Sequence, residues 1–510
     1  MRARRGREPA PPPQPQLLRE GETCWRVEQA DRLAFLVDGA AYFAAAKAAM
    51  LNAKHSIWLL AWVFDPLTRL TPDRTRKSGD PESADRLGLL LRRLASLNPA
   101  LDVRILAWDM PWMMGASQGF PCQRGSAYFL GSRVKYRLDH TLPRSACHHQ
   151  KVLVVDGRVA FVSGGDLGAD RWDTTGHEDH APERRLPSGR RYPARHEVSV
   201  MLDGPAVGAL GDMFAERWKA STGETLPPPL SPLEEDDSPW PPVIEPDLRR
   251  QPFGIARTLP KWRKREGVEE CLHLHLASIA AAKRLIYLEN QYLASRLIVE
   301  ALVARLEEPD GPEIIAIGPS QSPSFFDQMT MDSARTMAIN RLIEADKYGR
   351  FRAFCARTSE DHAVIVHSKV SVIDDDLLRV GSANLNNRST GLDSECDVAI
   401  EALDDETRAG IRAFRNREIA HFLGREPEDV VAAIAEHGSV GAAINALDGA
   451  PRRLKPICRE QPGFVERFVA SRALGDPLRT DDAWRPWVRR AHIRRDIQRL
   501  LPQVQLPPEP

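Results

Sequence analysis

The feature that most constrains this fold is a pattern that occurs twice along the chain. In each copy a histidine and a lysine stand two residues apart, an aspartate follows an intervening aliphatic run, and a turn of small residues comes after the next short run. The copies are His149, Lys151, Asp156 with residues 163–166, and His367, Lys369, Asp374 with residues 381–384. The aliphatic runs are typical of strands, on which residues two apart share a face. The recurrence predicts an internal duplication of a large module.

The side chains of this pattern suit a phosphate group better than a metal ion. A protonated lysine has no lone pair to give and repels a cation, whereas its charge attracts an anionic oxygen. If the two copies converge, one imidazole can attack phosphorus while the other protonates the departing oxygen. A single match would be read as an ordinary surface strand, but two matches with the same downstream spacing indicate a functional site. No metal and no cofactor are expected.

Length and composition limit the classes of protein that fit. The chain has 510 residues, which is enough for two domains or more. Its formal net charge is zero, so no nucleic-acid partner is expected. Seven scattered cysteines, with no CxxC pair, favour reduced thiols in a cytoplasmic protein. No apolar stretch approaches the length of a membrane span.

Changes in composition suggest where the domains begin and end. Residues 1–25 are expected to be a flexible Pro- and Arg-rich tail, and residues 225–247 a proline-rich acidic linker. The linker separates a first α/β domain, 26–224, from a second, 248–425, and residues 426–510 should form a helical C-terminal extension. Within the first domain, the spacing of apolar residues predicts a helix over 30–53, followed by buried strands at 57–62 and 103–108.

Several other segments allow two interpretations. The clump at 177–180, His-Glu-Asp-His, could hold a metal, but its charged and proline neighbours favour a solvated loop. Residues 111–114 and 323–326 carry large apolar side chains that suit either lipid contact or burial. The basic, aromatic segment 484–499 fits either a helix on a membrane surface or a solvated helix docked on the domain.

The two motifs, with Gly-Ser-Ala-Asn-Leu-Asn-Asn-Arg-Ser after the second, resemble those of the phospholipase D superfamily. The stretches that resemble its phospholipase D branch are 161–173, 289–292 and 393–395, and the resemblance covers roughly 30–425. It implies an α/β fold of two pseudo-twofold-related α/β/α domains whose motifs meet at a central cleft. It also implies metal-independent phosphodiester chemistry through a phosphohistidine.

The resemblance also implies roles for individual residues. His149 is expected to be the nucleophile and His367 the general acid, while Lys151 and Lys369 hold the phosphate oxygens. Glu395 matches an acid that orients a catalytic imidazole, and Asp173 and Glu197 are both candidates for orienting His149. The remaining expected residues are the aspartates that brace the motif turns and the small and polar residues of the pocket: Asp156, Asp374, Ser163, Gly164, Asp166, Ser382 and Asn384.

Two stretches depart from the family pattern. Ser163-Gly164-Gly165-Asp166 stands where relatives commonly have Gly-Gly-x-Asp, and Arg195-His196-Glu197 stands where Trp-His-Asp is expected. The second departure bears on Glu197, because it replaces the shorter aspartate.

The predicted function is that of a phospholipase D. It would hydrolyse glycerophospholipids to phosphatidate and free head group, and would transfer the phosphatidyl group to an alcohol when one is present. A cardiolipin synthase-type phosphatidyltransferase is the alternative, ahead of a nuclease or a binding protein without activity. The expected partners are a phospholipid membrane surface and a water or alcohol acceptor. The protein should be a cytoplasmic monomer with an internal pseudo-dimer, associated peripherally with membranes.

Overall fold

A computed structural model describes residues 14–72, 85–227, 238–322, 324, 327–449 and 451–505. The strands of the first half are β1 Arg26–Val37, β2 Ser56–Ala61, β3 Asp102–Trp108, β4 Lys135–Asp139, β5 Val152–Val155, β6 Val159–Ser163, β7 Arg195–His196 and β8 Val198–Asp203. Those that follow are β9 Leu248–Leu259, β10 Val268–Glu269, β11 Leu285–Asn290, β12 Glu313–Gly318, β13 Phe351–Arg357, β14 Ile365–Val366, β15 Lys369–Ile373, β16 Leu377–Gly381, β17 Glu395–Glu401 and β18 Arg453–Pro456.

The helices lie mainly between these strands. They are α1 Asp38–Leu51, α2 Leu87–Leu97, α3 Trp112–Gln118, α4 Pro121–Tyr128, α5 Ala206–Thr222, α6 Glu270–Ala281, α7 Arg296–Glu307, α8 Ser333–Ala345, α9 Asn387–Gly391, α10 Asp405–Leu423, α11 Pro427–His437, α12 Val440–Leu447, α13 Phe464–Ser471 and α14 Pro486–Leu500. A π-helical turn, Gln328–Asp332, leads into α8. Among the described residues, no helix is both long and apolar enough to cross a membrane.

One continuous mixed sheet carries the duplication. Outward from the antiparallel pair β1 and β9, the order is β8-β6-β5-β2-β3-β4 on one side and β17-β16-β15-β11-β12-β13 on the other. The two halves therefore repeat the same topology around a pseudo-twofold axis between β1 and β9. This confirms the predicted α/β class and its duplication.

The sheet buries apolar side chains on both faces. One hydrophobic core extends across both halves and includes Trp58 and Val200 from the first and Tyr287 and Val372 from the second. The opposite face has a separate core in each half. Because β5 and β15 are central strands buried on both sides, the residues at their N-terminal ends are held in a rigid frame.

The predicted helix over 30–53 is wrong in its first part. Residues up to Val37 belong to β1, which pairs with β8 on one side and β9 on the other, and α1 begins only at Asp38. A strand with neighbours on both edges and apolar contacts on both faces need not alternate in polarity. The apolar run that suggested an early helix start is therefore the inner part of β1. The strands expected at 57–62 and 103–108 are confirmed, with small shifts, as β2 and β3.

Several predicted boundaries also differ from the structure. The described part of the expected flexible tail is ordered, because the backbone N–H groups of residues 16–18 donate to the Glu401 carboxylate and Leu18 is buried. The described ends of the expected linker also pack on the first half through Leu226 and Trp240. The segment expected to be a helical C-terminal extension contains helices α11 to α14 and the strand β18, which joins the sheet edge beside β13.

Candidate active site

The two motifs meet because each lies against a strand end of the opposite half. Arg195–His196 of β7 pairs in parallel with Ile365–Val366 of β14, and the backbone N–H of His367 donates to the His196 carbonyl over 2.8 Å. In the matching place, His148 forms a parallel bridge with Ser394, and the backbone N–H of His149 donates to the Ser394 carbonyl over 2.9 Å. These pairings bring His367 next to Glu197, the residue after His196, and His149 next to Glu395, the residue after Ser394.

Each motif histidine therefore has a glutamate of the opposite half beside its imidazole. His149 Nδ1 lies 2.8 Å from Glu395 Oε2, and the Glu395 carboxylate is fully buried. Ser382 Oγ donates to the same oxygen over 2.5 Å, and Ser389 Oγ donates to Oε1 over 2.7 Å. With its Nδ1–H given to Glu395, the neutral imidazole carries its lone pair on Nε2. Two serine hydroxyls therefore support the acid that orients His149.

The second pair is looser and has a different support, and Lys369 Nζ also lies 3.2 Å from His367 Nδ1. His367 Nδ1 lies 3.2 Å from Glu197 Oε1. The same oxygen lies 3.6 Å from Arg171 Nε and 3.5 Å from Arg195 Nη1. A Cβ on Gly165 would stand 1.4 Å from Glu197 Oε2, so only glycine leaves room for this carboxylate. Glu197 is therefore held by guanidinium groups and a glycine.

These pairs correct the expected assignment of the orienting acids. Glu395 contacts His149, and Glu197 contacts His367 rather than His149. Asp173 lies elsewhere, since its oxygens accept from His177 Nδ1, Arg184 Nη1 and the backbone N–H of Arg195. In the sequence, Glu197 was noticed because Arg195-His196-Glu197 stands where Trp-His-Asp is expected. That each glutamate pairs with the histidine of the opposite half is visible only in the tertiary structure.

The lysine ammonium groups point into the same region from opposite halves. Lys151 Nζ donates to the His149 carbonyl over 2.8 Å and lies 3.8 Å from Asp166 Oδ2. Lys369 Nζ donates to the His367 carbonyl over 2.5 Å. A Cβ on Gly164 would lie 3.3 Å from Lys369 Cδ, so the small-residue turn of the first half rests against the second motif.

Burial sets the protonation of this site. It lowers the pKa of both His149 and His367 well below the usual value, and the nearby ammonium groups of Lys151 and Lys369 lower them further. The contact between the halves is geometric as well, since a Cβ on Gly164 would lie 3.3 Å from both the His367 carbonyl oxygen and Lys369 Cδ. Burial also raises the pKa of Glu395, to about 8, against the opposite effects of Lys151 and the serine hydroxyls.

The two motif aspartates brace the fold. The Asp156 carboxylate accepts hydrogen bonds of 2.7–2.8 Å from the backbone N–H groups of residues 54–56, where β2 begins. Asp374 does the same for residues 283–285, where β11 begins, over 2.6–2.7 Å. Their contacts match the expectation that they hold the motif turns.

The expected pocket residues separate into two groups. Asn384 lines the cleft, whereas Ser382 supports Glu395. Ser163 Oγ instead bonds to Ser199 Oγ over 2.7 Å and accepts from the backbone N–H of Gly165. Asp166 Oδ1 accepts from the backbone N–H of Trp62. Ser163 and Asp166 therefore shape the motif turn of the first half.

The cleft above His149 has a volume of about 250 Å³. Its walls include residues that the sequence did not single out: Trp62, Trp108, Arg144, Tyr292, Asp327, Arg388 and Ser389. Arg388 makes a bidentate pair with Asp393, which fixes the rim beside Glu395. Tyr292 belongs to the stretch 289–292, and Arg388 and Ser389 end the Gly-Ser-Ala-Asn-Leu-Asn-Asn-Arg-Ser run, so both stretches that supported the family resemblance reach the cleft. The other four residues lie outside any motif that marked the site.

The clump at 177–180 is not a simple solvated loop. His177 is buried, with Nδ1 bonded to Asp173 Oδ2 over 2.9 Å and Nε2 lying 3.1 Å from His421 Nε2. His180 is exposed, as expected for a loop. His177 joins Asp38, His196 and His421 in a buried cluster that combines residues of both halves. The part of the prediction that concerned His177 was therefore wrong.

Comparisons with known proteins agree with this fold. The family model described as "Cardiolipin synthase, PLD-like domain" matches residues 276–414. Phospholipase D A of Dictyostelium discoideum is 22% identical over 72% of this chain and 32% of its own length, and phospholipase D alpha 2 of Oryza sativa is 26% identical over 69% and 59%. The chain thus spans between about a third and three fifths of these curated relatives.

Among solved structures, phosphatidylserine synthase from Haemophilus influenzae has the same fold. It is 14% identical, with a TM-score of 0.54, and the match covers 82% of this chain and 97% of that one. The fold and the paired motifs define a duplicated α/β protein with two histidine–lysine half-sites at the junction of its halves, where His149 lines the cleft. In sequence, the chain is similar to phospholipases D over about 70% of its length, and residues 276–414 match a PLD-like domain.

Proposed function

We propose that this protein is a phospholipase D, hydrolysing glycerophospholipids to phosphatidate and free head group. The observation that carries the proposal is the pair of histidine–glutamate contacts formed between the halves around one group of lysines. A nucleophile and an acid are both needed to exchange one phosphodiester oxygen for another, and two imidazoles at the junction of the halves can supply them.

In the first step, His149 Nε2 attacks phosphorus. A P–N bond forms while the bond from phosphorus to the head-group oxygen breaks, and His367 gives its proton to that oxygen. Lys151 and Lys369 offset the negative charge that gathers on the non-bridging oxygens. The products of this step are the free head group and a phosphatidyl group on His149.

In the second step, water attacks the phosphatidyl-histidine. His367 accepts the water proton, the P–N bond breaks, and phosphatidate leaves with His149 restored. An alcohol in place of water gives transphosphatidylation by the same route, because the intermediate is open to either oxygen. Burial favours a neutral His367, and a bound phosphate anion raises its pKa, so substrate binding itself readies the general acid.

Apolar side chains at the cleft rim support docking on a phospholipid surface. Trp112 and Met114 are exposed in α3, and Pro111 and Met114 line the cleft. The other apolar segment expected at the rim, 323–326, lies outside the described residues except for Ser324. We propose that a cytoplasmic, monomeric form of the protein docks transiently through this rim.

The C-terminal segment 484–499 has features both of a helix docked on the domain and of a helix at a membrane surface. Arg489 is buried and donates to the backbone carbonyls of residues 473, 482 and 483, and Ile493 and Ile497 are buried on the same helix. Trp484 and Trp487 remain exposed. Helix α14 is thus docked on the domain, and its aromatic start supports the proposal of a second membrane contact.

A cardiolipin synthase-type phosphatidyltransferase is the second candidate. It is favoured by the family model over 276–414 and by 26% identity to cardiolipin synthase A of Pseudomonas aeruginosa over 55% of this chain. The two candidates share the phosphohistidine and differ in the oxygen that attacks it.

Product analysis on mixed phospholipid vesicles, with and without ethanol, separates them. A phospholipase D gives phosphatidate, partly replaced by phosphatidylethanol, and none of either with His149→Ala. Cardiolipin formed from added phosphatidylglycerol would move the protein to the synthase branch. Cleavage of generic phosphodiesters without any lipid turnover would contradict both assignments of substrate.

A further inference from the structure

Away from the cleft lies a buried cluster for which the proposed mechanism has no use. It joins Asp38 at the start of α1, His177 of the loop after the first motif, and His421 in the last turn of α10. The three side chains come from distant parts of the chain and are all shielded from solvent.

The three facing atoms have the spacing of metal ligands. His177 Nε2 lies 3.1 Å from His421 Nε2, His421 Nε2 lies 3.4 Å from Asp38 Oδ2, and His177 Nε2 lies 3.7 Å from the same oxygen. A triangle with these sides has its centre about 2.0 Å from each corner, which is the usual length of Zn–N and Zn–O bonds. Two nitrogens and a carboxylate oxygen are also ligands that zinc prefers.

The surrounding hydrogen bonds aim these atoms inward. Asp173 Oδ2 accepts from His177 Nδ1 over 2.9 Å, which leaves the lone pair of the neutral ring on Nε2. Asp38 Oδ1 accepts from His196 Nδ1 over 2.9 Å and from the backbone N–H of Glu197 over 3.2 Å. The second oxygen of Asp38 is therefore directed at the two imidazole nitrogens.

An arrangement without an ion leaves one of these atoms unexplained. A hydrogen bond between the two imidazoles would satisfy their nitrogens, but Asp38 Oδ2 is fully buried and has no hydrogen-bond partner. A buried carboxylate oxygen without a partner is costly, and a cation removes that cost. Burial lowers the pKa of Arg452 near the cluster, and the carboxylates of Asp38 and Asp173 offset its positive charge.

We propose that Asp38, His177 and His421 bind a structural divalent transition metal, with Zn²⁺ as the ion their chemistry favours. The ion would fasten helix α10 of the second half to the first half. It would also fix Asp38, which holds the backbone of Glu197, the partner of His367. This role is separate from catalysis at phosphorus and does not depend on the proposed substrate.

The test is the metal content of the full chain, purified without a metal-binding tag and dialysed against metal-free buffer. Elemental analysis should find zinc equimolar with the protein, and His421→Gln and His177→Gln should each lose it. His362→Gln is the matched control. It alters a second histidine–carboxylate group, in which Asp179 is satisfied by hydrogen bonds and His362 is exposed, so zinc should be retained.

A second measurement covers the case in which the variants fold poorly. Wild-type protein stripped with a chelator should lose thermal stability, and Co²⁺ should restore the Tm while giving the visible absorption of a four-coordinate site. Wild-type protein that holds no metal and gains no Tm from Zn²⁺ or Co²⁺ would overturn the proposal. Zinc retained at the wild-type level in folded His421→Gln would do the same, because the ion would then be adventitious.

Discussion

Each of the two half-sites places a glutamate carboxylate near the Nδ1 of a histidine, but the two glutamates have different neighbours. Glu395 beside His149 accepts from two serine hydroxyls, whereas Glu197 beside His367 lies near two arginines. Burial raises the pKa of both carboxyl groups. Two guanidinium charges oppose the rise at Glu197, whereas Lys151 and the two hydroxyl groups oppose it at Glu395. The difference suits the two proposed roles. His149 must become positively charged as it attacks, and His367 must donate a proton.

The aspartates of the two motifs provide the contrast. Asp156 and Asp374 each accept from three consecutive backbone N–H groups at the start of a neighbouring strand, with nearly equal distances. The backbone hydrogen bonds of the motif aspartates are therefore the same in the two halves, whereas the groups around the two glutamates differ. Four experiments test this distinction.

The largest effect should come from removing the histidines. With a natural phospholipid, His149→Ala and His367→Ala should each lower kcat/KM by about 10⁴-fold or more, since both groups act in the same step. A phosphodiester with a p-nitrophenyl leaving group needs no general acid. On that substrate His367→Ala should give a rapid burst of p-nitrophenolate equimolar with the enzyme, because the first step no longer needs its proton while the second step still lacks its base. His149→Ala should give no burst. A burst from His149→Ala instead would reverse the assigned roles.

Replacing the glutamates should have the next largest effect. Glu395→Gln and Glu197→Gln should each reduce kcat by about 10²–10⁴-fold, because the amide cannot stabilise an imidazolium or fix its tautomer. In the first-turnover burst on the p-nitrophenyl substrate, only Glu395→Gln should remain slow. Glu266→Gln, in an exposed ion pair with Lys261, is the control and should behave as wild type. Equal behaviour of the two site variants on both substrates would contradict the division of roles.

The pH dependence of kcat/KM should report the pKa of Glu395 and the effect of its serine hydrogen bonds on that pKa. Burial raises its pKa to about 8, and an extra proton on the His149–Glu395 pair blocks the lone pair of the nucleophile. We therefore expect kcat/KM to rise with pH through about 8. Ser389→Ala removes a hydrogen bond that lowers this pKa, so the rise should move to higher pH and the rate at neutral pH should fall.

The control for this shift is Ser359→Ala, whose hydroxyl donates to Asp179 on the surface. Its profile should coincide with that of wild type. An unchanged profile in Ser389→Ala would show that the rise comes from another group, and the contrast between the two half-sites would lose its electrostatic basis.

The smallest effect on rate should follow from changing the bracing aspartates. Asp156→Asn and Asp374→Asn should each lower the free energy of unfolding by about 1–3 kcal/mol, since each loses charge-assisted bonds to buried backbone groups. Urea unfolding at neutral pH measures this loss, which should be similar in the two variants. A loss confined to one of them would mean that the two motif turns are not equivalent.

Prediction from the sequence succeeded where neighbours along the chain carry the information. The duplication, the strands that follow each motif and the turns after them depend on local spacing. The start of α1 was placed too early because β1 is apolar on both faces. His177 was assigned to a solvated loop because its partner His421 lies 244 positions away.

By itself, the sequence determined that two equal modules each bring a histidine and a lysine to the start of a buried strand. Only the tertiary structure decided which acid serves which imidazole. His149 and Glu395 are 246 positions apart, and they meet because strands of the two halves pair next to each motif. Asp173 and Glu197 are equally plausible from composition, and what separates them is the parallel pairing of β7 with β14, which turns Glu197 towards His367.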